Sequence, residues 1–183
     1  VGNEVQRHLL ILTLIEAGFD LRAGVPVAVV PLGAEAVGTP GSIPGNSGWL
    51  LVAGGVSWPW RDSGRYMQAL SAAARNANHA IKIIQFGGAY RWHERPGPGQ
   101  SAEAAPDLYA VEHHALLPYA DFSRLLTSRG HIGVELAEWN VERSYSQSFR
   151  SLEFLRHGLP LLCNRYLPIA GLVESFDAGW LVD

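Results

Sequence analysis

Two stretches of this sequence carry residue types that could do chemistry. The first is Gly54-Gly55-Val-Ser-Trp-Pro-Trp-Arg-Asp62. Adjacent glycines closing an apolar run let a ligand come close to the backbone. A helix starting just after them would offer unpaired N–H groups to an anion. Arg61 adds a fixed charge on a planar fork that suits phosphate. The stretch is neither GxGxxG nor a P-loop, because the Gly-Lys-Ser/Thr ending is missing. The second is Glu142-Arg-Ser-Tyr-Ser-Gln-Ser-Phe-Arg150, which leads into Leu152-Glu153-Phe154-Leu155. Ser146, Gln147 and Ser148 precede a helix, so capping groups and backbone donors concentrate there. Glu153 lies about one and a half turns further on, and a carboxylate there can accept two hydroxyl hydrogen bonds, as a ribose presents them. Each stretch also has a plainer reading. The first could be a tight turn with Trp58 and Trp60 in the core, and the second a capped amphipathic helix with Glu153 on its solvated face.

Other chemistries find less support. The seven histidines are scattered. His113 and His114 are neighbours in a strand-like run and point to opposite faces, so they cannot share a metal. The single cysteine, Cys163, excludes an intrachain disulfide and a multi-cysteine zinc site. It sits in an apolar run, where a thiol is inert. No metal is expected. The formal net charge of −3 gives no reason to expect a nucleic-acid partner. No apolar run approaches the ~18 residues of a membrane span, and the first residues do not read as a signal peptide. The expected location is the cytoplasm, free or peripheral to a membrane.

The elements that would position these residues alternate. Spacing of Val5, Leu9, Leu12 and Ile15 after Asn3 predicts a helix over 3–17, ended by Gly18. Val25–Leu32 reads as a buried strand. Residues 36–48 are rich in glycine and proline and read as a linker. Beyond it, strands are predicted at 49–56, 81–86, 108–117, 132–137, 159–164 and 179–183. Helices are predicted at 64–77, 119–128, 148–157 and 169–176, with a Gly87-Gly88 turn and a loop over 90–106. Such alternation of continuous apolar strands with helices predicts an α/β fold, a Rossmann-like doubly wound parallel sheet with helices on both faces. Its ligands bind at the carboxyl ends of the strands.

The run Phe149-Arg150-Ser-Leu-Glu153-Phe-Leu-Arg-His-Gly158-Leu-Pro160, followed by Leu172-Val173-Glu174 and Gly179-Trp-Leu-Val182, resembles the donor-binding signature of GT-B-fold glycosyltransferases of the group 1, family 4-like kind. Gly54-Gly55 through Asp62 is similar to that family's first Gly-rich loop. Gln6-Arg7 and Val29-Val-Pro-Leu-Gly33 look like the last elements of its N-terminal acceptor domain.

The resemblance implies three parts. Residues 1–35 would end the acceptor domain, 36–48 would be the interdomain linker, and 49–183 would be a nucleotide-sugar-binding domain cut at its C-terminal end. It implies transfer of a sugar from a nucleotide-diphosphate donor, with no metal cofactor. Carried over by position, Gly54, Gly55 and Arg61 would face the diphosphate. Ser146, Gln147 and Ser148 would lie beside sugar and phosphates, Glu153 would hold the ribose, and Leu117 would line the base. One position departs from the pattern. Many retaining members place a glutamate eight positions before the equivalent of Glu153, where this chain has Tyr145. Glu142 would serve instead, with Arg61, as the catalytic pair. The missing acceptor domain implies a fragment that binds donor without turning it over. The alternatives are an inactive nucleotide-sugar-binding or scaffolding domain, favoured by Tyr145, and a Rossmann-like dehydrogenase. The missing GxGxxG, and Gly87-Gly88 where an acidic residue would follow the second strand, argue against the last.

Overall fold

The computed structural model describes residues 1–37, 48–57, 61–77, 80–89 and 108–183. Most of the expected linker, the Trp58–Trp60 turn and the 90–106 loop lie outside the described residues. Among those described, six strands form one sheet: β1 (Trp49–Ser57), β2 (Ile81–Ala89), β3 (Val111–His114), β4 (Ile132–Glu135), β5 (Leu161–Asn164) and β6 (Gly179–Val182). Every pairing is parallel, in the order β3-β2-β1-β4-β5-β6. The doubly wound α/β fold expected from the alternation is therefore present.

The sheet is covered on both faces, and the strand pattern shows why. Alternate residues of β1 point to opposite sides. Leu50 and Val52 join Ile84, Phe86, Leu161 and Cys163 in one apolar cluster. That face packs against α3 (Tyr119–Arg129), α5 (Phe149–Arg156) and α6 (Ala170–Ser175) through Leu126, Phe154 and Val173. Leu51 and Ala53 point the other way with Ile83 and Val134, towards Tyr66, Met67 and Ala74 of α2 (Gly64–Asn76). A strand buried on both faces needs a continuous apolar run, which is what Trp49–Ala53 provides. Phe154 lies directly on Gly133, where a side chain would overlap its ring. That close approach seats α5 against β4.

Several expectations are corrected. Val25–Leu32 forms no strand: it pairs with no strand among the described residues, and its backbone bonds run to the opening residues, Val30 N–H to Val1 O at 2.8 Å, the Val1 amino group to Ala28 O at 3.2 Å and Arg7 Nε to Val27 O at 3.0 Å. The expected Gly87-Gly88 turn is instead the continuation of β2, paired with Gly55 and Val56. β3 is shorter than the apolar run suggested. A five-residue helix, α4 (Val141–Tyr145), capped by Asn140, stands where only loop was expected. The opening helix α1 (Glu4–Glu16) has the expected Asn3 cap, whose side chain accepts from Gln6 N–H. Unlike the other long helices it buries none of its residues among those described.

Candidate functional site

The strand order reverses between β1 and β4, and in open parallel sheets the crevice at such a switch lies outside the strands' carboxyl ends. Two features converge there. β1 carries Gly54 and Gly55, with φ of 90° and 137°. β4 ends on Glu135, a carboxylate whose side chain is only 3% exposed.

Three guanidiniums surround that carboxylate. Arg61 Nη2 donates to Glu135 Oε1 at 2.6 Å, and Arg143 Nη1 donates to the same oxygen at 3.2 Å. Arg150 Nη1 stands 3.5 Å from Glu135 Oε2. The arginines come from three separate places: the approach to α2, α4, and the first turn of α5. Their side chains are 16%, 5% and 18% exposed. Arg143 is held further by Tyr166, whose hydroxyl accepts from Arg143 Nε at 2.8 Å and donates to Ala137 O at 2.7 Å. Burial pulls the Arg61 guanidinium below its ordinary value, Glu135 opposing and Arg143 reinforcing the effect. An arginine stays charged through such a change. Burial likewise pushes the Tyr166 phenol up, so it remains a donor.

The cluster is incompletely satisfied. Glu135 Oε2, Arg143 Nη2 and Arg150 Nη1 are buried without a hydrogen-bond partner among the described residues. Buried charged groups in native proteins are seldom left so. Gly55 explains how Arg150 reaches the cluster, since a side chain on Gly55 would occupy the space its guanidinium fills.

These groups line a cavity of about 620 Å³. Its far wall is the opening segment, including Gln6, Val30 and Leu32. That segment docks on the turn between α4 and α5. Asn3 Nδ2 and Gln6 Nε2 both donate to Tyr145 O, at 3.0 and 2.9 Å. Asn3 Nδ2 also reaches Gln147 Oε1 at 3.4 Å.

The expected site residues divide. Arg61, Glu142, Ser146, Gln147 and Ser148 all line the cavity. Ser148 also caps α5, its hydroxyl accepting from Ser151 N–H at 3.3 Å. Glu142 sits on α4 and is exposed. Gly54 and Gly55 line a smaller recess of about 40 Å³ that also includes Arg61. Glu153 does not line the cavity. Its carboxylate accepts from Tyr119 OH at 2.8 Å and pairs with Arg156 at 3.5 Å. His157 Nδ1 lies 3.4 Å from the same oxygen that Tyr119 reaches, so Oε1 is engaged twice and Oε2 is the oxygen with more capacity for a hydroxyl. Leu117 follows β3 at the sheet's edge, exposed and away from the cavity.

Glu135, Arg143 and Arg150 were not singled out from the sequence. A charge inside the apolar run Ile132-Gly-Val-Glu135-Leu-Ala137 was the available signal for the first. Arg150 stands in the run that resembles the donor-binding signature but was assigned no role, and Arg143 gave no signal, because their joint role depends on convergence across the fold. Among the described residues no group of three histidine, cysteine or acidic side chains is placed to hold a metal.

No protein-family model matches the chain, and no curated protein matches it. Solved structures do. One is WaaG, a glycosyltransferase involved in lipopolysaccharide biosynthesis: TM-score 0.50, 15% identity, 75% of this chain and 34% of that one. Another is an α,α-trehalose-phosphate synthase (UDP-forming) from Burkholderia xenovorans in complex with glucose-6-phosphate: TM-score 0.47, 14% identity, 75% and 33%. The chain spans about a third of the length of these structures. At such identity the first likeness speaks for the fold, and the fold it gives is the Rossmann-like α/β sheet of a GT-B glycosyltransferase.

Proposed function

We propose that this chain is the donor-binding part of a glycosyltransferase and that its cavity takes the diphosphate of a nucleotide sugar. The observation that carries the reading is the cluster of three guanidiniums around one buried carboxylate at the switch point of the sheet, with buried donors that lack a hydrogen-bond partner among the described residues. A diphosphate supplies the acceptors those donors lack. The amino end of α5, capped by Ser148, adds partial positive charge beside Arg150. Arg150 and Glu153 are three residues apart on α5 and so lie on one stripe of the helix. Phosphates at Arg150 therefore put a ribose within reach of Glu153.

The chemistry follows from charge. When the sugar leaves, negative charge grows on the diphosphate, and guanidiniums already in place stabilise it without rearranging. Glu142, exposed on the cavity wall, is the carboxylate on the open side, where an acceptor would enter. The sugar acceptor and most of its contacts belong to an acceptor domain. α1 leaves Leu9, Leu12 and Ile15 exposed, as a helix does when another layer is meant to cover it. The expected setting is cytoplasmic. Among the described residues no helix is long and apolar enough to cross a membrane.

The test is a thermal-shift panel of nucleoside diphosphates and nucleotide sugars with chelator present. A ligand at a hundred times its dissociation constant should stabilise by ~2.7 kcal/mol. Arg143→Gln should abolish the shift. Silence from every nucleotide would end this reading. The second reading, a binding domain without turnover, is favoured by Tyr145, whose carbonyl is taken by Asn3 and Gln6. Glu142→Gln in the full-length protein separates the two, because sugar transfer is lost if Glu142 is catalytic, whereas a scaffold shows no transfer to lose and keeps its function through that change.

A further inference from the structure

A site built for an anion gains nothing from a buried carboxylate unless the carboxylate does something else. We propose that Glu135 trims the charge of the cavity. Against three guanidiniums it leaves two positive charges, which suits a diphosphate diester over the diphosphate monoester that remains once the sugar has gone. This rests on the donor-binding reading above and adds a residue that sets specificity within it.

The charges follow from phosphate chemistry. A diphosphate esterified at both ends carries two negative charges. One esterified at a single end has a terminal phosphate whose second proton leaves near pH ~6, so it carries about three above neutrality. The charged side chains facing the cavity are Arg61, Arg143, Arg150 and Glu135, all largely buried, and Glu142, which is exposed on the wall; the Val1 amino group also lines it, exposed and donating to Ala28 O at 3.2 Å, and like Glu142 is screened by solvent. A ligand with two charges neutralises the buried set. A third charge has no free guanidinium to meet and must be desolvated next to Glu135. The open positions agree with this. Among the described residues Arg143 Nη2 has no acceptor, and Arg150 Nη1 and Glu135 Oε2 face each other as an ion pair at 3.5 Å with no hydrogen bond, so each has capacity left for a ligand. A sugar-bearing diphosphate has both complements, phosphate oxygens and hydroxyls. A bare terminal phosphate brings a second anionic oxygen to Oε2. The consequence for turnover is that substrate is held and product is released.

Calorimetric titration at pH 8 tests this with two probes that differ by one methyl: P1,P2-dimethyl diphosphate, with two charges, and methyl diphosphate, with three. The wild-type chain should hold the diester at least as tightly as the monoester. In Glu135→Gln, which keeps the shape and an acceptor for Arg61, the monoester should gain at least about tenfold relative to the diester. An unchanged ratio, or equal weakening of both probes, would mean that Glu135 only props the arginines, and would overturn the proposal. Should Glu135→Gln fail to fold, Arg150→Gln serves, because Arg150 is the most exposed of the three. It leaves one net charge, so the monoester should lose at least about tenfold more than the diester, and equal losses overturn the proposal. If the wild type binds neither probe, the cavity does not recognise the diphosphate by itself and the role of Glu135 falls, while the donor-binding reading stands or falls on the nucleotide panel. Binding of both with a ratio indifferent to either variant removes only the role of Glu135.

Discussion

At the scale of single residues, Gly55 decides whether the cluster can assemble. Its φ of 137° lies where side chains strain the backbone, and a Cβ would meet the Arg150 guanidinium. Gly55→Ala should therefore act twice. It should destabilise the fold by about 1–3 kcal/mol, read from urea unfolding. It should also weaken diphosphate binding at least about tenfold, because Arg150 is pushed from its place. Retained affinity in a destabilised variant would show that Arg150 can reach the ligand from elsewhere. Cys163 gives a contrasting case. It is fully buried, and burial pushes its thiol up to about 11. Thiolate is the reactive form, so a thiol reagent at pH 8 should label the native chain only as fast as it unfolds. Rapid labelling without denaturant would contradict the packing of β5.

Elements depend on contacts that no single residue reveals, and the join of β1 to β4 is one of them. His131, just before β4, accepts Leu50 N–H on Nδ1 at 2.9 Å, with its ring edge-on to Trp49. The ring must be neutral to accept. Burial holds its pKa below the ordinary 6.5. The unfolded chain thus takes a proton at a higher pH than the folded one does. Stability from this bond is complete above about pH 6.5 and declines as pH falls from there through the folded-state value. His131→Asn should flatten that decline in unfolding free energy measured from pH 8 to pH 5, and an identical profile would remove His131 from the account. The same dependence on partners explains what the sequence made legible. Trp49–Ala53 and Leu161–Asn164 read correctly as strands because burial on both faces demands uninterrupted apolar residues. Val25–Leu32 has the same apolar character and is no strand, because pairing is supplied by neighbours and not by composition. Arg61 and the Ser146–Ser148 turn were legible because glycine turns and helix caps are local signals. Glu135 with Arg143 and Arg150 was not, because sites from four segments meet only when β1 and β4 lie side by side.

Across the whole molecule, the cavity has one firm wall and one loose one. The firm wall belongs to the sheet, whose strands bury residues on both faces. The loose wall is the opening segment. It touches the rest through Asn3 and Gln6 on Tyr145, and through Glu35 and Val37 on Arg156. α1 itself buries nothing among the described residues, so its hydrogen bonds are exposed to water along their length. Local stability follows buried contacts, which sets an order for amide hydrogen exchange. Residues 5–16 should exchange near the free rate, and β1, β4 and β5 slowest of all. Methyl or dimethyl diphosphate in the cavity should then slow residues 141–151, whose donors meet the phosphates. The first turn of α1 should slow with them, since it is hydrogen-bonded to Tyr145 and Gln147. The rest of α1 should be unchanged. Protection of all of α1 equal to that of β1, with no ligand present, would mean that the opening segment is part of the same cooperative unit as the sheet. The cavity would then be a fixed pocket and not a cleft with one movable side.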